Sequence, residues 1–190
     1  TKIITTPHVM AGSFPNTPKI ILSGLENLRK AAQESNLNVS LHAAAEYFMD
    51  EQFEILLTQK KLLPVSRNEV LVEMSFMAPP LNLHALIFEI QTQGYLPILA
   101  HPERYSFYHH DMEQYSRLKE LGCKLQLNIN SLTGYYGKRI KDIANKLLDN
   151  KLIDYAGSDM HNAKHLKAMQ SLAYSKEALG TLRNYPLLNK

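Results

Sequence analysis

Short runs of β-branched and aliphatic residues alternate regularly with longer stretches of helical periodicity, and this alternation limits the fold more than any other feature of the chain. Lys2–Thr5, Asn38–Ala45, Glu69–Met74, Tyr95–Ala100, Lys124–Asn128 and Leu152–Gly157 read as strands. Helices are expected between them. Thr17 supplies an N-cap with Pro18 at the first helical position. Ile20, Ile21, Gly24, Leu25, Leu28, Ala31 and Ala32 follow as an apolar face. Further helices are expected over Asp50–Gln59, Leu81–Gln93 (stopped by Gly94), Asp111–Leu121 (stopped by Gly122), Lys138–Asn150, and from about Ala163 to Leu179. Strands that alternate with helices pair in parallel through right-handed crossovers. No Pro/Gly-rich linker divides the chain. The expectation is therefore a single α/β domain over residues 1–190, a closed or nearly closed barrel of the TIM-like kind.

Composition removes several function classes. Of 190 residues, 45% are hydrophobic, enough for a real core. The net charge is +3, from 21 Lys and Arg against 18 Asp and Glu, and the basic residues are scattered, so no nucleic-acid partner is expected. Cys123 is the only cysteine, which excludes an intrachain disulfide and a thiolate zinc site and fits a reducing, cytoplasmic setting. No apolar run approaches the roughly 20 residues that span a bilayer, so no membrane insertion is expected. The chain opens without Met and enters a strand at once, so residues are expected before position 1.

The chemistry gathers at strand ends. His8 follows the first expected strand, Glu46 the second, His101 the fourth, and Asp159 and His161 the sixth, while Glu73 ends the third. In a parallel α/β barrel these points lie on one face, where the strand C-termini meet. Imidazole and carboxylate together suit zinc, manganese or iron. A carboxylate can bridge two ions, which makes Glu46 and Glu73 the natural bridges. Such a cluster activates water near neutral pH and clamps an in-line phosphoryl displacement. Arg104 lies on the His101 loop, and its guanidinium fork matches phosphate oxygens. Each residue also has a plainer role open to it: loop hydrogen bonding for His8 and His101, rim ion pairs for Glu46, Glu73 and Arg104, and a helix cap for Ser158 or Asp159. His109-His110, His42 and His84 are set aside as loop, strand and helix residues. Tyr135-Tyr136-Gly137 reads as a turn, and Met74, Met77 and Met160 as packing residues. Cys123 begins a strand with no Arg at loop spacing, so burial is expected rather than nucleophilic chemistry.

Five segments then occur in one order: Thr6-Pro7-His8, Leu71-Val72-Glu73, Ala100-His101-Pro102-Glu103-Arg104-Tyr105, Asn128-Ile129-Asn130-Ser131-Leu132 with Gly134, and Ser158-Asp159-Met160-His161-Asn162. Together they resemble the bacterial manganese-dependent protein-tyrosine phosphatases of capsule and exopolysaccharide synthesis, in the polymerase-and-histidinol-phosphatase (PHP) superfamily. The resemblance runs from Ile4 to about Leu172. It implies a distorted (β/α)7 barrel with three metals at its mouth. Glu46 would bridge two metals, Glu73 and His101 would complete the second, Asp159 would bind the first, and His8 and His161 the third. Arg104 would hold the substrate phosphate, and Asn162 would stand behind the ligands.

The chain departs from that pattern in two ways. The family opens with a His-x-His pair on its first strand, and this chain contains none, so two or three ions are expected only in a complete protein whose first strand precedes position 1. A second phosphate-binding Arg is often found after the Asp-x-His pair, where Lys164, His165 and Lys167 stand here. The resemblance implies hydrolysis of phosphotyrosine on a bacterial kinase that regulates polysaccharide export, with Mn2+, or else Fe or Zn, as cofactor. A small-molecule phosphatase acting on a compound such as histidinol phosphate is the first alternative, and a catalytically impaired binding module the second. Oligomeric state is left open.

Overall fold

The computed structural model describes residues 2–174, residue 180 and residues 182–189. The chain forms two compact units, Thr1–Ser75 with Pro79–Ile98, and Phe76–Ala78 with Leu99–Lys190. The first holds β1 (Lys2–Thr5), β2 (His8–Val9), α1 (Pro18–Glu34), β3 (Ser40–Ala43), β4 (Glu46–Phe48), α2 (Glu51–Thr58), β5 (Glu69–Glu73) and α3 (Leu83–Thr92). The expected α/β alternation is present, and the pairings within each unit are parallel.

The first two expected strands form as β1 and β3, and each is followed by a further short strand, β2 and β4, that was not expected. Pro7 separates β1 from β2, because it has no amide hydrogen to continue a ladder. Ala44 and Ala45 separate β3 from β4, and both are fully buried. The Ala44 amide still donates to the carbonyl of Thr5 at 2.8 Å. The Ala45 amide turns to Leu63, and that of Glu46 to Pro7, each at 3.1 Å. β1 and β3 form a two-stranded sheet of their own, while β4 continues the same register against β2 and takes β5 on its other side. This part of the chain thus carries four short strands where two were expected.

Helix α1 starts as its sequence requires, with Thr17 Oγ1 accepting the Ile20 amide and Pro18 in the first turn. Its Leu25 and Ala32 pack with Leu41, Val39 and Ala43. On β4, Tyr47 is completely buried, and its hydroxyl accepts the Leu63 amide at 2.7 Å. Burial pushes the Tyr47 phenol up to about 12, so it stays neutral and anchors the strand that begins at Glu46.

The second unit begins within β6 (Leu96–Ala100), whose last two residues belong to it. Two short 3-10 turns follow, Pro102–Arg104 and Ser106–Tyr108. Then come α4 (Glu113–Glu120), β7 (Lys124–Asn128), α5 (Ile129–Thr133), α6 (Lys138–Asp149), β8 (Tyr155–Gly157) and α7 (Ala163–Tyr174). The five-residue α5 was not foreseen, since one turn carries no readable period. The last helix was expected to reach Leu179, and positions 175–179 lie outside the described residues. Strands β7 and β8 are aligned with Gln126 opposite Tyr155 and Asn128 opposite Gly157. The Asp154 carboxylate fixes that register by accepting the Leu125 amide at 2.9 Å while pairing with Lys119. Leu125, Leu127, Ala144 and Leu147 are fully buried in this unit. Among the described residues, no helix is long and apolar enough to cross a membrane.

Replacing Tyr47 by Phe leaves the Leu63 amide without its acceptor. The expected cost is about 1–3 kcal/mol in urea unfolding, and an unchanged midpoint would contradict the anchoring role.

Candidate metal and phosphate sites

In the first unit, strand register alone brings three ligands together. His8 on β2 lies opposite Glu46 on β4, and Glu46 lies opposite Leu71 on β5. Glu73 is two residues beyond Leu71, and side chains two apart on a strand share a face. His8, Glu46 and Glu73 therefore point the same way. One ligand atom from each lies within 4.8 Å of the other two. The sequence had placed His8 and Glu46 just past strand ends; both instead sit on short strands of their own, and Glu46 opens β4.

Both carboxylates are only 4% exposed. His8 Nδ1 stands 2.9 Å from Glu73 Oε1, and the His8 carbonyl accepts the Asn16 side-chain amide at 2.8 Å. The two carboxylates and the imidazole thus converge on one small, nearly dry space. An imidazole with two carboxylates is a donor set that manganese, iron and zinc accept.

The remaining expected site residues, His101, Arg104, Asp159 and His161, belong to the second unit. His101 is 3% exposed and has φ of +37°, in the left-handed region that residues other than glycine seldom adopt. Its amide donates to the Gln126 carbonyl at 2.8 Å and its own carbonyl accepts the Arg104 amide at 2.9 Å, so the turn after β6 is fixed at both ends. Its ring packs on Phe76 and Tyr105, with centroids 5.4 and 5.6 Å away. Asp159 has φ of +44°. It accepts Arg104 Nη1 at 3.1 Å and Asn128 Nδ2 at 2.8 Å on the same oxygen, Oδ2. The Arg104 Cζ lies 4.5 Å from the ring centroids of both Phe76 and Tyr136. The guanidinium is thus held between a carboxylate and two aromatic rings.

His161 is half exposed, and its Nδ1 lies 3.0 Å from the Asp159 carbonyl and 3.4 Å from the carboxylate. Asn162, rather than Ser158 or Asp159, caps α7: its Oδ1 accepts the amides of Lys164 and His165 at 2.9 and 3.1 Å. That is a structural duty distinct from standing behind metal ligands. Lys164 and Lys167 are exposed. His165 packs edge-on against Tyr135 and Tyr136.

Several sequence readings are refined here. His109 is 7% exposed rather than superficial, and its Nε2 lies 2.8 Å from the Glu103 carbonyl. Burial holds its imidazole below the usual range, so it is neutral. Met74 is buried as expected, but Met77 is 87% exposed and Met160 46%, so neither is a packing residue. Cys123 is buried, and loss of hydration pushes its thiol up to about 12, which removes the thiolate needed for nucleophilic attack. Sequence reasoning passed over Phe76, gave Asn128 no role beyond heading a recognisable segment, and read Tyr136 as part of a turn.

A family model for capsular polysaccharide synthesis proteins, CpsB/CapC, matches residues 1–179. The chain belongs to the CpsB/CapC family. CpsB/CapC relatives include the tyrosine-protein phosphatase YwqE of Bacillus subtilis (strain 168), 29% identical over 163 residues, 85% of this chain and 64% of that protein. The tyrosine-protein phosphatase CpsB of Streptococcus pneumoniae is 26% identical over 180 residues, 90% of this chain and 73% of that protein. The chain spans 64% of the length of YwqE. Crystallographic work on YwqE and S. pneumoniae CpsB describes them as unique metal-dependent tyrosine phosphatases. A chain from it matches with a TM-score of 0.80 and 27% identity, covering 98% of this chain and 82% of its own length. The mixed α/β fold of this chain is thus the fold of a CpsB/CapC protein.

Charge-removing, shape-preserving changes test the metal group of this CpsB/CapC chain. Glu46→Gln and Glu73→Gln are expected to weaken Mn2+ binding by more than about tenfold in calorimetric titration. Far-UV circular dichroism should be unchanged. Undiminished affinity in both variants would remove these carboxylates from the ligand set.

Proposed function

We propose that this chain is the catalytic core of a metal-dependent phosphomonoester hydrolase, a protein-tyrosine phosphatase acting on a bacterial kinase that regulates capsular or exopolysaccharide synthesis. The observation that carries the reading is the group of His8, Glu46 and Glu73, two buried carboxylates and a half-buried imidazole within reach of one ion. Membership of the CpsB/CapC family supports it. So do the names of relatives, which are tyrosine-protein phosphatases.

In this reading His8, Glu46 and Glu73 hold metal, and His101, Asp159 and His161 supply further ligands. Manganese is the preferred ion, with iron or zinc accepted by the same donors, and the complete protein carries two or three ions. When bound, these ions supply Lewis acidity and offset the negative charge that builds on the phosphoryl oxygens. Arg104 binds the phosphate through paired N–H donors, and its aromatic neighbours keep it from swinging into water between turnovers. No covalent cysteine step is involved, since the Cys123 thiol stays protonated. The same reading carries a single domain over residues 1–190, a distorted (β/α)7 barrel, and a cytoplasmic location.

Activity on a phosphotyrosine peptide is expected to survive iodoacetamide, to vanish with a chelator and to return with Mn2+. His101→Ala should lower kcat/KM by at least about a hundredfold. Activity insensitive to the chelator or to His101→Ala would contradict the proposal. Faster hydrolysis of histidinol phosphate than of the peptide would transfer it to small-molecule substrates.

A further inference from the structure

The segment Asn128–Gly134 was prominent in the sequence, yet the proposed chemistry leaves it without a task. Its first residue is buried, at 2% exposure, and every polar atom of its side chain is committed. Asn128 Oδ1 accepts the Asn130 amide at 2.9 Å and so caps α5. That bond settles which end of the amide is oxygen, and Nδ2 faces the other way. The two Nδ2 hydrogens have two acceptors, Asp159 Oδ2 at 2.8 Å and the Tyr136 hydroxyl at 3.2 Å.

Those two acceptors are the groups that flank Arg104. Asp159 Oδ2 accepts Arg104 Nη1, and the Tyr136 ring lies 4.5 Å from the guanidinium carbon. The backbone of Asn128 is held in turn by a residue of the Arg104 turn itself. Its amide donates to Glu103 Oε1 at 3.1 Å, and Ser131 Oγ donates to the same oxygen at 2.6 Å. Glu103 is wholly buried, so this anchor is shielded from water. The connection is a closed circuit: Arg104 to Asp159, to Asn128, to Tyr136 and back to Arg104, braced through Glu103.

We infer that Asn128 is the positioning residue for Arg104, one amide setting both the carboxylate and the aromatic face between which the guanidinium is presented to phosphate. The inference rests on the proposed phosphate role of Arg104. It assigns no contact between Asn128 and substrate.

Asn128→Asp is nearly isosteric and keeps the α5 cap, but it sets a carboxylate oxygen against Asp159 in place of an N–H. Binding of inorganic phosphate to the Mn2+-loaded chain, with bound metal counted, is measured in the wild type, Asn128→Asp, Arg104→Ala and the double variant. Asn128→Asp alone should weaken phosphate binding by about tenfold. In the Arg104→Ala background it should add less than about twofold, because its target is gone. A structural role alone would lower affinity by the same factor in both backgrounds, and that outcome overturns the inference. So does unchanged affinity in Asn128→Asp while Arg104→Ala still weakens binding, which leaves the Arg104 reading intact. Unchanged affinity in Arg104→Ala removes that reading and the inference with it. If Asn128→Asp does not fold, Tyr136→Leu enters the same cycle, since it takes away the hydroxyl and the ring together, and the same non-additivity is required.

Discussion

Two carboxylates packed beside an imidazole, nearly out of contact with water, set the terms for the first unit of this protein. Neither Glu46 nor Glu73 exceeds 4% exposure, and nothing in ordinary core packing rewards placing them together. The backbone carries one parallel register across two interruptions, at Pro7 and at Ala44–Ala45: the offset that pairs Thr5 with Ala43 also pairs His8 with Glu46. A one-residue slip of β5 would carry Glu73 to the other face.

The second unit is built around a cation. Arg104 is committed on one side to Asp159 and on two more to aromatic faces. Two left-handed residues, His101 and Asp159, lie at the turns that supply this arrangement. Backbone strain of that kind persists where the surroundings over-determine it, and it concentrates at sites that bind or react. The surroundings here are specific: the Gln126 carbonyl fixes His101, and the Asn128 amide fixes Asp159.

Much of this was legible in the residues. The alternation of strands and helices, the N-cap at Thr17, the stops at Gly94 and Gly122, and the burial of Cys123 all follow from local chemistry. The His-Pro-Glu-Arg-Tyr and Ser-Asp-x-His-Asn runs drew attention to the turns where His101 and Asp159 adopt left-handed backbone. The rest was hidden for physical reasons. A strand of two residues, such as β2, has no period to detect. The further strand β4, past the end of Asn38–Ala45, depends on bonds such as Glu46 amide to Pro7 carbonyl, made by distant residues. The work of Asn128 consists of bonds to residues 25 and 31 positions away, and no local pattern encodes them. Met77 looked like core because methionine usually is; its exposure follows from the segment that carries it.

The central claim is that His8, Glu46 and Glu73 hold a metal ion. Anomalous diffraction at the manganese edge, from crystals of this chain grown with Mn2+, tests it most directly. The account predicts a peak within coordinating distance, roughly 2–2.5 Å, of a ligand atom from each of the three residues. Saturating Mn2+ with no peak there, and the three side chains still in contact, would contradict it.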